Sequence, residues 1–236
     1  MLAQLTGTTE AHLQVLDSGV KLHRQMFAAW EQLQREAREA GFDLQIASGF
    51  RSFERQRCIW QAKATGQRPL YNNLGVKQPF EQLSPEDLLH CLLRWSALPG
   101  TSRHHWGTDV DVYDAAALPD GYQLQLTPQE YAAGGPFAGL TDWLSERIKT
   151  DGCGGFFRPY ERDTGGVAIE PWHLSYQPLA IVYQGAWSAE QLRCWLEQQN
   201  WPLAELALAH CDEIYTRYLA AVGRDPERSL PPWAAV

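Results

Sequence analysis

Ser102-Arg103-His104-His105-Trp106-Gly107-Thr108-Asp109-Val110-Asp111 brings two histidines and two aspartates into one short stretch. Far downstream, Glu170-Pro171-Trp172-His173 adds a third histidine and a glutamate. Two imidazoles and one carboxylate can fill three positions of a tetrahedral zinc ion and leave the fourth open for water. That open position separates a catalytic zinc from a structural one. A glutamate three residues from a ligand histidine is suited to take a proton from that water. Singly, these pieces are unspecific: a loop histidine is more often structural, and Glu-x-x-His arises by chance. Their combination carries the signal.

Certain elements must position these groups. Val110 and Val112 alternate with Asp109, Asp111 and Tyr113, the period of a strand over 108–113. The two aspartates therefore share one face of that strand. Gly165-Gly166 leads into a second short strand, expected at 167–169, just before the glutamate. Leu44 and Ile46 alternate with polar residues and predict a strand ending at Ser48. Helical spacing of Val20, Met26, Phe27, Trp30, Leu33 and Ala37 predicts a helix over 20–40, closed by Gly41. A helix follows Ser52, and residues 64–80 read as a long surface loop. Ser84-Pro85-Glu86-Asp87 starts a helix that runs to about Ala97. Another fits 139–149. Ser188 with Gln191 opens a helix to about Gln199, and Leu203, Leu206, His210, Ile214, Tyr218 and Val222 line one face of a last one. Mixed helices and short strands make the fold class α+β.

At 236 residues the chain is one large domain or two small ones, long enough to bury a core without staples. A net charge of −8 argues against a nucleic-acid or anionic-membrane partner. No apolar run is long enough to span a membrane. The start, MLAQLTGTTEAHLQVL, lacks the basic and apolar regions of a secretory signal. Five cysteines, an odd number without a CxxC pair, read as scattered reduced thiols. These features make a cytoplasmic location the expectation; a periplasmic chain that has lost its signal would begin in the same way.

The motifs together resemble those of a known family. Ser102-x-His104-x-x-Gly107-x-x-x-Asp111 is similar to the SxHxxGxxxD motif of zinc peptidases of the VanY type, the D-alanyl-D-alanine carboxypeptidases. Glu170-Pro171-Trp172-His173 resembles their EPWH motif, and Ser48-Gly49-Phe50-Arg51-Ser52 their SG(Y/F)RS segment. The resemblance spans roughly residues 18–180. It implies a small antiparallel sheet flanked by helices, and it leaves an added C-terminal helical segment unexplained. The expected division is a zinc peptidase domain at 1–185 and a helical extension at 186–236 packed on it. The alternative role for that extension is a partner-binding or dimerising helix pair.

Carried over residue by residue, the resemblance makes His104, Asp111 and His173 ligands of Zn2+. Glu170 becomes the general base, and Arg51 the cation beside the scissile carbonyl or the substrate carboxylate. Ser102 and Gln56 are placed as substrate contacts. Arg158 reads either as a pocket cation holding a carboxylate or as one half of a surface ion pair. The family motif often has Ala where this chain has Asp109, so Asp109 either competes with Asp111 for the metal or orients a ligand histidine. His105 reads as a pocket or structural neighbour, and Trp106 and Trp172 as packing. The implied activity is removal of a C-terminal D-alanine from peptidoglycan-type peptides or muropeptides. A dipeptidase, a wall endopeptidase and a non-catalytic peptide-binding module are the alternatives.

Overall fold

The structure is a computed structural model that describes residues 1–72 and 76–222; part of the expected 64–80 loop and the end of the 186–236 segment lie outside it. A short helix α1 (Leu2–Leu5) leads to a hairpin of β1 (Leu13–Val15) and β2 (Lys21–His23). Then come α2 (Phe27–Glu39), β3 (Leu44–Ser48) and α3 (Phe53–Ala64). A second hairpin, β4 (Leu70–Tyr71) and β5 (Lys77–Gln78), precedes α4 (Pro85–Trp95). Strand β6 (Asp109–Asp114), the turn-long α5 (Pro128–Tyr131), α6 (Ala138–Lys149), β7 (Phe156–Phe157) and β8 (His173–Tyr176) follow. Last come α7 (Gln177–Gly185), α8 (Ala189–Leu196), α9 (Ala204–Ala209) and α10 (Cys211–Ile214), continued by a π-helical turn at Tyr215–Ala220. The fold is α+β, as expected.

The central sheet has four antiparallel strands in the order β3-β6-β8-β7. Its two faces differ because side chains alternate along a strand. Val110, Val112 and Leu174 point to one face and join Met26, Trp30 and Leu33 of the α2 side with Leu140, Leu144 and Ile148 of α6 in a core. Burying each such side chain contributes about 1.5–3 kcal/mol. Asp109, Asp111, His173 and Ser175 alternate with these residues and are also buried. A second core joins Trp60 of α3, Leu89 and Leu92 of α4, and Trp106 to Leu192, Leu196, Trp201 and Ile214 from the C-terminal helices.

Local capping explains the helices that the sequence marks. Ser52 accepts the Arg55 N–H, Ser84 that of Asp87, and Ser188 that of Gln191. Three expectations need correction. The helix expected from Val20 starts at Phe27, because Leu16 N–H bonds the Val20 carbonyl and the His23 N–H bonds Gly107, which commits 20–23 to the hairpin. No strand forms at 167–169. There the Ala168 N–H donates to Arg94 and the Glu170 N–H to Tyr160, so the backbone has no sheet neighbour and the strand begins at His173. The last helix is broken at His210 and begins after Leu203, which has a positive φ of 69°.

All five cysteines are free thiols. No helix among the described residues is long and apolar enough to cross a membrane.

Gly107 ends the histidine turn in the left-handed region, φ 70°, and its carbonyl accepts the His23 N–H of the hairpin. A Cβ there would lie 2.6 Å from Leu13 Cδ2 and 2.9 Å from the His23 backbone N. Gly107→Ala is therefore expected to destabilise the protein by about 1–3 kcal/mol, read as a lower thermal or urea midpoint. An unchanged midpoint would contradict this packing.

Candidate active site

Register places the first pair of groups. Asp111 lies directly opposite His173 across β6 and β8, and Asp109 opposite Ser175. His104 comes from a single 3-10 turn, Arg103–Trp106, that precedes β6. The SGFRS segment fastens this turn from outside: the Arg51 N–H donates to the His104 carbonyl, and His104 Nδ1 donates to Gly49 O at 2.9 Å. That bond fixes the tautomer and leaves His104 Nε2 facing Asp111 Oδ2 at 3.3 Å.

His173 is held the opposite way round. Its Nε2 donates to Asp109 Oδ1 at 2.9 Å, so Nδ1 faces Asp111 Oδ1 at 3.5 Å and Glu170 Oε2 at 3.1 Å. The ligating atoms of His104, Asp111 and His173 lie within 4.8 Å of one another, and all three residues are buried. Asp111 Oδ1 is buried without a hydrogen-bond partner. A buried lone pair with no donor is costly unless a cation satisfies it. Two imidazole nitrogens and one carboxylate, with His104 Nε2 facing Asp111 and His173 Nδ1 shared between Asp111 and Glu170, fit zinc with an open position.

The electrostatics agree. Burial alone would lower the His173 pKa, but its bonds to Asp109 and Glu170 and the charge of Asp111 outweigh burial and push it up to about 10. Burial likewise opposes the charge of Asp111, yet His104, His173 and Arg51 hold its carboxyl below the usual range. The space between these carboxylates thus favours a cation, whether a proton or a metal.

Asp109 has a different task. It is fully buried and accepts from Arg103 Nε at 2.7 Å, Thr108 Oγ1 at 2.7 Å and Ser175 Oγ at 3.1 Å, as well as from His173. Burial would raise its pKa, but the Arg103 charge and the His173 bond keep it well below the carboxylate range. With its oxygens spent on the far side of the His173 ring, Asp109 orients that ring and does not enter the His104, Asp111 and His173 group. His105 is also structural: Nε2 accepts the Gly100 N–H and Nδ1 donates to Arg51 O at 2.6 Å, while burial keeps it neutral with a pKa near about 3.

A cavity of about 790 Å³ opens over the cluster, lined among others by Arg51, Lys63, Ser102, Tyr160, Glu170 and His173. Arg51 donates to Gln56 Oε1 at 3.0 Å and Ser48 Oγ at 3.2 Å. Gln56 is fully buried and spends its amide on the Ala97 carbonyl, so it positions Arg51 instead of touching substrate as expected. Arg158 is also away from the cavity. Its guanidinium donates to the carbonyls of Pro171 and Thr141 and to Ser145 Oγ, so it holds the EPWH segment in place. Ser102 does line the cavity.

Sequence reasoning missed Lys63, Ser96 and Arg103; Tyr160, in the Phe156–Tyr160 stretch just before the EPWH segment, does line the cavity, and its ring meets His173 edge-on with centroids 5.1 Å apart. A second donor group, His90, His210 and Glu213, is partly exposed, and Arg217 already pairs with its carboxylate.

Residues 19–179 match the family model of VanY, D-alanyl-D-alanine carboxypeptidase. An uncharacterised protein of Haemophilus influenzae is 36% identical over 124 residues, 52% of this chain and 92% of its own. A D-alanyl-D-alanine carboxypeptidase of Enterococcus faecalis is 25% identical over 187 residues, 78% of this chain and 60% of its own. The solved structure of VanYB in complex with D-alanine-D-alanine shares the fold, with a TM-score of 0.50 at 23% identity over 80% of this chain and 89% of that one.

The two aspartates separate experimentally. Asp111→Asn should abolish stoichiometric zinc binding, while Asp109→Asn should keep the metal with affinity lowered about 10–100-fold. Equilibrium dialysis with metal analysis measures both. Complete metal loss in a folded Asp109→Asn protein, with metal retained by Asp111→Asn, would exchange their roles.

Proposed function

The chain belongs to the VanY family of D-alanyl-D-alanine carboxypeptidases, and from that premise we propose that it is a zinc-dependent carboxypeptidase acting on peptidoglycan-type peptides. It removes a C-terminal D-alanine. The observation that carries this reading is the convergence of His104, Asp111 and His173 in a cavity with Glu170 beside them. The presence of D-alanine-D-alanine in the VanYB complex supports the substrate class.

His104, Asp111 and His173 would hold zinc, which would supply a Lewis acid and lower the pKa of a water molecule to about 7. The protein's own groups do the rest. Glu170 accepts a proton from the attacking water and returns it to the amine of the departing residue. Its backbone is fixed for this by the Tyr160 carbonyl, which accepts the Glu170 N–H, and by the His173 N–H, which donates to the Glu170 carbonyl. Arg51 stabilises the negative charge that develops on the scissile carbonyl oxygen. Burial lowers the Arg51 pKa, with Asp111 and Glu170 acting against that fall, and a guanidinium stays charged throughout. Gln56 and Ser48 hold it in place, so it need not reorganise as the charge appears. Ser102 offers a hydroxyl on the cavity wall for the peptide backbone.

Glu170→Ala is expected to keep one zinc per chain and lose at least about a hundredfold in turnover. Mass spectrometry of a pentapeptide ending in D-Ala-D-Ala should show loss of one D-alanine in the native protein. Full turnover by zinc-loaded Glu170→Ala would sink the base assignment. Hydrolysis of the free dipeptide alone, or cleavage only inside the peptide, would replace this reading with a dipeptidase or an endopeptidase.

A further inference from the structure

The proposed chemistry leaves one cavity cation without a task. Helix α3 carries Lys63 seven residues after Gln56, which is two turns along one helix face. Lys63 is half-buried and lines the cavity beside Ser96 and Arg51. Its ammonium donates to Ser96 Oγ at 2.6 Å. Among the described residues no carboxylate forms an ion pair with it. Arg51 is in the same position: its partners are the neutral oxygens of Gln56 and Ser48. The two cations thus hydrogen-bond neutral oxygens only, while the charges of Asp111 and Glu170 act on Arg51, and that of Glu170 on Lys63, from within the same cavity. A poorly solvated ammonium without a carboxylate in ion-pair contact is suited to bind an anionic ligand. Burial, reinforced by the Arg51 charge and opposed by that of Glu170, brings the Lys63 pKa down to about 8, so an anion in direct contact would favour its ammonium form.

The reaction itself needs such an anion site. Resting on the carboxypeptidase reading above, the departing amino acid carries its carboxylate one carbon beyond the scissile nitrogen's neighbour. Asp111 and Glu170 repel that carboxylate, and Arg51 is engaged with the carbonyl oxygen. We propose that Lys63, braced by Ser96, binds the free C-terminal carboxylate of the peptide and thereby confines cleavage to chain ends. An ammonium with one of its three donors on Ser96 keeps two for a carboxylate. Lys63 is a specificity-determining residue in this scheme and takes no part in proton transfer.

The test separates binding from turnover. A blocked peptide ending in D-Ala-D-Ala and its C-terminal amide are titrated by calorimetry into the zinc-loaded Glu170→Ala protein. The free acid should bind at least about tenfold tighter than the amide. In the Glu170→Ala background, Lys63→Met should erase that difference, and Lys63→Arg should restore part of it. Lys63→Gln serves the same comparison if the Met variant fails to fold. Equal affinity of acid and amide, binding of neither, or a difference that survives in a folded, zinc-loaded Lys63→Met protein overturns the assignment. Tighter binding of the acid together with an inert native protein supports the carboxylate site and refutes the peptidase reading alone.

Discussion

Asp109 holds a negative charge where no solvent reaches it, and much of the structure is arranged around that constraint. Four donors meet its two oxygens: Arg103 from the histidine turn, Thr108 from the start of β6, and His173 and Ser175 from β8. Removing one partner of a buried charge leaves the penalty of the other, so each donor has to be delivered accurately. Arg103 carries the network further. It donates to Gln184 on α7, and Gln184 donates to the Leu219 carbonyl near the chain's far end. The tautomer of one metal-facing histidine is thus tied to a helix that follows the sheet and to the π-helical turn beyond it.

The antiparallel register converts this constraint into a site. Because side chains alternate, β6 and β8 send Val110, Val112 and Leu174 into an apolar core and Asp109, Asp111 and His173 to the opposite face. That second face is buried as well and forms the floor of the cavity. The C-terminal helices pack against the elements beside it. Trp60 of α3 donates to Pro202 O, and Trp195 donates to Pro99 O beside Gly100, where a Cβ would strike the indole at 2.5 Å. The segment that the family motifs do not reach therefore packs against the loop that leads into Ser102 and His104.

The net charge says little about the cavity. The metal-facing cluster is anionic, which favours a bound cation, while Arg51 and Lys63 on the wall are cations held by neutral oxygens. An acidic surface keeps polyanions away in general; local placement of two side chains makes the interior attractive to a single carboxylate.

Residue order alone determined the family, the donor types of the candidate site and most of the elements. The Ser102–Asp111 and Glu170–His173 motifs identify the donor types, and capping residues such as Ser52, Ser84 and Ser188 mark helix starts because their bonds are local. The two-residue spacing also put Asp109 and Asp111 on one strand face. It did not say which of them faces the metal, since that depends on which nitrogen of His173 each meets across the sheet. Residues 20–23 and 167–169 misled for a related reason: the backbone partners of His23 and Ala168, Gly107 and Arg94, are distant in sequence. Gln56 and Arg158 looked like substrate contacts until the fold aimed them at the Ala97, Pro171 and Thr141 carbonyls. Lys63 became visible only once α3 was placed against the cavity. Donor identity is a property of the residue, but the direction of a lone pair or an N–H is decided by long-range packing.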